Sequence, residues 1–171
     1  FFENGIVAHV PMAQPTSKVL MNVSKNALED LKIKYSFGGT YLAMEGPQFS
    51  SKAESLLYRN WNCDVIGMTN MPEAKLAREA EIRYASISMV TDYDSWSSEH
   101  DEVDLQMLLE TMHKNVEKSK KFIKNLSYKY YNGIDFTTDN TSTILDTSIV
   151  TQPNDWNKNT TEKLSNILRR F

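Results

Sequence analysis

Met44-Glu-Gly-Pro-Gln-Phe-Ser-Ser-Lys-Ala-Glu-Ser55, Gly67-Met-Thr-Asn-Met-Pro-Glu73 and Val90-Thr-Asp-Tyr-Asp-Ser-Trp96 are the pieces around which this chain is organised; all lie within Gly39 to Trp96. Each marks a change of backbone state. Ser51 and Glu54 have capping-box spacing, in which each side chain satisfies a backbone donor at a helix start. Ala53, Leu56, Leu57 and Trp61 supply the stripe that this helix is expected to bury. Asp64 to Met68 reads as a buried strand, and Asn70-Met71-Pro72-Glu73 opens another helix with proline near its first turn. Ala74, Leu76, Ala77 and Ala80 are small enough for close packing on a sheet. Ile82 to Thr91 reads as a strand again. Strand, helix and strand make a βαβ unit with parallel strands and a right-handed crossover.

Upstream, Ile6 to Met12 is a short apolar run with β-branched residues, ended by Pro11 and Pro15, and is expected to be a strand. Val19, Leu20, Val23, Ala27, Leu28 and Leu31 fall on one helical face, which places a helix over Ser17 to Asp30. Gly38-Gly39 breaks the chain before a short strand at Tyr41 to Met44. Downstream, Leu105, Leu108, Leu109, Met112, Val116, Ile123 and Leu126 recur at helical spacing. Lys118, Lys120, Lys121 and Lys124 crowd the far end of that helix, where cations favour the dipole. Residues 127–151 read as an irregular connection, with a strand near Ile144 to Val150 as one option. A closing helix within 153–171 has Leu164, Ile167, Leu168 and Phe171 on its inner face. The expectation is one α/β domain over 1–171.

A chain of 171 residues with 40% hydrophobic and 24% charged residues has an ordinary globular composition. A formal charge of −3 offers no basic patch for nucleic acid or anionic lipid. Anion binding would therefore have to come from local geometry. Cys63 is the single cysteine and has no internal partner for a disulfide, which favours a reducing, cytoplasmic setting. There is no run of about 18 apolar residues, the length of a spanning helix. Phe1 opens a sequence that reads like the run-in to a strand already under way.

In open α/β sheets, ligands bind beyond the carboxyl ends of parallel strands. Thr69 follows one expected strand, and Asp92 and Asp94 follow its partner. A hydroxyl, a helix start and two carboxylates should thus share one rim, where free N–H groups favour an anion such as phosphate. The spacing alone favours a plain helix cap at Thr69-Asn70. Asp92 and Asp94 alternate on an extended segment, so both could face a nitrogen heterocycle; a solvated turn is the simpler account. Two such close carboxylates would raise one pKa, which suits a proton donor. Phe49 could stack on a planar base, although its position favours core. Met68 and His9 read as packing and structure. His100 with Glu99, Asp101 and Glu102 lacks metal-ligand spacing and reads as a charged loop, so no metal is expected. A Gly-rich phosphate loop, a nucleophile elbow and a nucleotide fingerprint are all missing from this sequence.

From about Phe1 to about Lys121, Glu45-Gly-Pro-Gln-Phe-Ser-Ser, Ala53-Glu-Ser, the run from Gly67 to Glu81 and Thr91-Asp-Tyr-Asp94, extended by Trp96, closely resemble the trimeric purine nucleoside phosphorylase family. The best match is its S-methyl-5'-thioadenosine phosphorylase branch. The resemblance implies a mixed central sheet flanked by helices, of which this chain would be the C-terminal portion. It implies phosphorolysis of 5'-methylthioadenosine to adenine and 5-methylthioribose 1-phosphate, with inorganic phosphate as co-substrate and no cofactor. By position, Asp92 matches the acid at the purine N7 and Asp94 the carboxylate that reads the 6-amino group. Phe49 matches the residue packed on the base, Ser50 a position near the base edge, Met68 the residue beneath the ribose and Thr69 a phosphate ligand. His9 matches a histidine that reaches into a neighbouring subunit's site. Leu105 and Leu109 match the pocket for the methylthio group.

Gly67 departs from relatives that carry Asn, which re-shapes the ribose contacts. The family's Gly-rich phosphate loop, its Arg-His pair and a further Thr lie upstream of the segment matching Phe1. The resemblance therefore implies an N-terminal companion segment, separate or cleaved, and a homotrimer of the complete subunit. Related 6-oxopurine enzymes carry Asn at the position of Asp92. A 6-oxopurine phosphorylase and a non-catalytic purine-binding subunit remain the alternatives.

Overall fold

Two short strands lie side by side in parallel in the computed structural model, which describes residues 1–96, 105–131 and 133–171, with backbone alone at 105, 130 and 131. In chain order the elements are α1 (Lys18–Asp30), β1 (Tyr41–Ala43), α2 (Lys52–Asn60), β2 (Val65–Gly67), α3 (Glu73–Glu79), α4 (Leu105–Tyr131) and α5 (Lys158–Lys163). Two 3₁₀ helices, Asn140–Thr147 and Pro153–Asp155, precede α5. The backbone groups into two units, one of residues 1–22, 72–86 and 135–171, the other of 23–71 and 87–134.

In the second unit Tyr41 pairs with Val65, Leu42 with Ile66 and Ala43 with Gly67. Parallel neighbours need a crossover, and α2 provides it. Its start is the expected capping box: Ser51 Oγ accepts from the Glu54 N–H at 3.3 Å, and the Glu54 carboxylate accepts from the Ser51 N–H at 2.7 Å. The helix α4 packs against the end of α1 through Phe122, Ala27 and Leu28, with Leu31, Ile33, Tyr35 and Leu126 around them. Asn125 Nδ2 donates to the Ala27 carbonyl at 3.3 Å, and Lys129 pairs with Asp30 at 2.7 Å. Both serve carbonyl or acidic groups at a helix C-terminus, where donors and cations are favourable.

The first unit has its core at Ile6, Leu164 and Leu168, with Phe2, Ile149, Trp156 and Ile167 against it. Arg78 of α3 donates to the carbonyls of Pro11 at 3.1 Å and Gln14 at 2.9 Å, tying down the proline-bounded loop. Glu81 accepts from the Leu145 N–H at 2.9 Å and also binds Arg170, which reaches Asp146 as well.

Several sequence expectations are corrected. Ile6 to Met12 is not a strand but a single antiparallel bridge, Ala8 to Ile149. Its partner is too short: Ser148 caps one 3₁₀ helix and Pro153 opens the next. Ile82 to Thr91 forms no strand either. The Tyr84 carbonyl accepts from the Ser17 N–H and the Val90 carbonyl from the Asn115 side chain, rather than from a neighbouring ladder. The parallel βαβ unit is β1–α2–β2, one step earlier than the sequence suggests, and among the described residues the expected mixed sheet is this two-stranded parallel pair. Of 127–151, α4 takes the residues up to Tyr131, and Asn140–Thr147 is a 3₁₀ helix where a strand was one option. The closing helix is short, and Phe171 is 52% exposed while Leu164 and Leu168 are buried. In α2 only Ser55 is buried; Ala53, Leu56, Leu57 and Trp61 face out.

The burial along α4 can be tested directly. Phe122 is 6% exposed and Ile123, the residue chosen by periodicity, is 60% exposed. Truncating a buried Phe typically costs about 3–5 kcal/mol, and a surface change stays within about 0.5 kcal/mol. Urea midpoints of Phe122→Ala and Ile123→Ala should separate by that order; equal losses would overturn the assigned face.

Candidate functional site

The residues singled out for base, ribose and anion fall in the second unit, around the carboxyl ends of β1 and β2. Gly46 follows β1 with φ +69°, and the Met68 sulfur lies 2.5 Å from where a Cβ on Gly46 would sit. The positive φ favours a bare residue there, and the Met68 thioether is seated in the notch this leaves in the Glu45-Gly46-Pro47 turn. Gly67 is bare for a similar reason. A Cβ there would be 2.0 Å from the Tyr41 hydroxyl, which lies across it and meets Thr69 Oγ1 at 3.2 Å.

Thr69-Asn70 does not cap a helix. The helix α3 begins at Glu73, its N-cap position is Pro72, and no side chain caps it. Both the plain-cap account and the anion site at a helix start opened by Asn70 are thereby corrected. Pro72 carries no N–H and the chain turns through Asn70 at φ +75° before the helix begins. What remains at Thr69 is its hydroxyl.

Phe49 is 83% exposed, which overturns the core reading and leaves its ring free to meet a planar ligand. The next residue, Ser50, is buried, and its hydroxyl donates to Asp94 Oδ1 at 2.8 Å. Ser95 Oγ donates to the Ser50 carbonyl at 3.0 Å. Ser55, only 1% exposed, accepts from the Trp96 N–H at 3.1 Å through its Oγ and hydrogen-bonds Asp94. The Arg59 guanidinium, in the last turn of α2, lies over the Trp96 ring at 4.1 Å from its centre, a cation–π contact. Thus the start and second turn of α2 grip the segment 94–96.

Partial burial works to raise the Asp94 carboxyl, but the Ser55 hydroxyl, the Ser95 backbone N–H and the Ser50 hydroxyl outweigh it. Asp94 is therefore held below the ordinary aspartate range and stays an acceptor. The expectation that close carboxylates raise one pKa does not hold for Asp94, because its donors dominate. Asp92 is exposed and accepts from the Thr91 hydroxyl. The two carboxylates alternate along the loop, yet their partners differ: serines for Asp94, a neighbouring threonine for Asp92.

His9 belongs to the first unit, where its N–H donates to the Ser148 carbonyl at 2.8 Å. Leu109 lies on α4 and is 55% exposed; Leu105 is the first residue of that helix, described by its backbone alone. An open hollow of about 460 Å³ along α4 is lined by Leu109 with Gln106, Glu110, His113 and Lys114. Among the described residues no group of three His, Cys, Asp or Glu could hold a metal; Glu99, His100, Asp101 and Glu102 lie outside them. No described helix is long and apolar enough to cross a membrane. Sequence reasoning missed Ser55, Ser95 and Tyr41. A small polar residue one turn inside a capped helix was the available signal for Ser55; Tyr41 had none.

Residues 1–127 match the model of the phosphorylase superfamily. An S-methyl-5'-thioadenosine phosphorylase of Rhodospirillum rubrum is 46% identical over 99% of this chain, which covers 58% of that relative. One of Cereibacter sphaeroides is 48% identical over 90% of this chain and 53% of its own length. Among solved structures, a methylthioadenosine phosphorylase from an antarctic soil metagenomic library superposes with a TM-score of 0.85 at 34% identity, covering 97% of this chain and 58% of that one. A methylthioadenosine phosphorylase from Schistosoma mansoni in complex with adenine gives a TM-score of 0.74 at 28% identity, covering 86% of this chain and 57% of its own. The chain spans little more than half the length of the relatives it matches.

The serine grip on Asp94 has a measurable consequence. A folded pKa below the unfolded one contributes stability that is present above the unfolded aspartate pKa and lost as pH falls through the folded value. The Asp94 carboxyl carbon followed by NMR should titrate below an unfolded-aspartate reference. Ser55→Ala should move that midpoint upward and narrow the pH dependence of stability. A midpoint unchanged by Ser55→Ala would refute the donor account.

Proposed function

This chain belongs to the phosphorylase superfamily, and on that footing we propose that it forms the base- and ribose-binding portion of an S-methyl-5'-thioadenosine phosphorylase. The carrying observation is Asp94: serine donors keep its carboxylate charged, and one of them, Ser50, is the chain neighbour of the exposed Phe49. A carboxylate accepts from a 6-amino group and has no proton to give a 6-oxo group, so the arrangement favours adenine over hypoxanthine.

In the proposed reaction the C1'–N9 bond of 5'-methylthioadenosine breaks and its electron pair passes into the purine. A phosphate oxygen forms the new bond to C1', giving 5-methylthioribose 1-phosphate. The ribosyl centre carries positive charge between the two events, and adenine leaves as its developing charge is neutralised at N7. Asp92 holds the proton at N7, Asp94 reads the 6-amino group and Ser50 keeps Asp94 in place. Phe49 packs on the base, and Met68 lies beneath the ribose next to Gly67. Thr69 donates to phosphate. Leu105 and Leu109 receive the methylthio group, and His9 serves a neighbouring subunit in a homotrimer. An N-terminal companion segment supplies the rest of the phosphate half.

The test is adenine release from 5'-methylthioadenosine by this chain together with that upstream segment, with and without phosphate. Phosphate-dependent release is expected, with Asp92→Asn slower by about 10²–10⁴-fold, the usual scale of a lost general acid. Preference for methylthioinosine, or an Asp92→Asn rate near that of the parent, would sink the reading.

A further inference from the structure

Tyr41 has no role among the positions matched to relatives, yet its hydroxyl stands at the anion side of the site. Three observations converge on it. In the parallel register Tyr41 pairs with Val65, so its side chain must run forward along β2 to reach the strand's end. On the way it passes over Gly67, where its hydroxyl takes the space that any Cβ would need. It ends 3.2 Å from Thr69 Oγ1, in a contact where either hydroxyl can be the donor.

The chemistry of the pair sets its direction. A threonine hydroxyl has one proton and two lone pairs. If Thr69 gives its proton to an anion, the bond from Tyr41 must run the other way, from the phenol to a Thr69 lone pair. The two bonds then point one way, Tyr41 O–H to Thr69 O–H to the anion, and each polarises the next. A phenolic O–H is an uncharged donor, so its hydrogen bond adds no cation to the site. Gly67 is the residue that makes room for it.

We infer that Tyr41 is a positioning residue for the inorganic anion: its hydroxyl, seated over the bare backbone of Gly67, donates to Thr69 and turns the Thr69 proton toward phosphate. This rests on Thr69 as a phosphate ligand in the proposed function. It also gives the glycine at 67 a purpose, since a side chain there would displace the phenol.

The experiment measures steady-state constants for this chain with its upstream segment, and calorimetric affinity for inorganic phosphate, in the parent and in Tyr41→Phe. The ring is retained in that variant, and an unchanged melting curve confirms intact packing. The expected result is a phosphate KM raised roughly three- to tenfold, the scale of one hydrogen bond, with the nucleoside KM unchanged. Gly67→Ala, which pushes the phenol off, should reproduce the defect. Adding Tyr41→Phe to Thr69→Val should cost no more than Thr69→Val alone, because the phenol acts through Thr69. An active parent whose phosphate KM is unmoved by Tyr41→Phe overturns the inference and leaves the proposed function standing. If the parent turns over no nucleoside, the proposed function fails and calorimetry decides here: weaker phosphate binding by Tyr41→Phe upholds the role of Tyr41, and equal or absent binding overturns it.

Discussion

Parallel pairing of β1 with β2 is the constraint from which the site's geometry follows. Two strands running the same way cannot be joined by a tight turn, so the chain must leave at Ala43, cross over and return at Val65. The crossover is α2, and its capped start fixes where Phe49 and Ser50 stand relative to the strand ends. The same pairing brings Tyr41 alongside the segment that ends at Gly67, so that Thr69, just past the strand, meets a phenol from the neighbouring strand. Displace the register by one residue and every side chain changes face. The glycines at 46 and 67 would then no longer lie under Met68 and Tyr41.

Around Asp94 the balance is electrostatic. Removing a carboxylate from water favours its neutral form, and that contribution is the largest single influence on this group. It is overcome because uncharged serine donors, the Ser50 hydroxyl at 2.8 Å and the Ser95 backbone N–H among them, serve this one side chain. A cation would also have kept Asp94 ionised, but it would have competed with the amine of a ligand for the same oxygens. The donation from Ser50 engages Oδ1, and a neutral donor leaves the negative charge of the carboxylate uncompensated for a ligand's N–H.

What could be read from the sequence was what short-range physics determines. The Ser51–Glu54 box spans one helical turn, and the two long helices show their period over many residues. Their faces were less legible. Along α4 the buried residue is Phe122, beside the Ile123 that periodicity selected, because the neighbour that decides is α1. Strand expectations at Ile6 to Met12 and Ile82 to Thr91 failed for a related reason. Residue type makes a segment fit for pairing, but only a partner of sufficient length makes it a strand, and here the carbonyls found other donors. Within the site, the motif matches pointed to Asp92, Asp94, Phe49 and Thr69. The exposure of Phe49 and the roles of Ser55 and Tyr41 depend on contacts that no local pattern announces.

The notch at Gly46 joins two distant positions of the chain in one packed contact. Any side chain at 46 would occupy the volume of the Met68 sulfur, so the thioether would have to swing away from where it now rests. Conversely, a residue at 68 that did not fill the notch would leave the turn bare on that side. The positive φ at 46 favours a bare residue whatever stands at 68, so the turn offers its notch to position 68 as a fixed feature of the backbone.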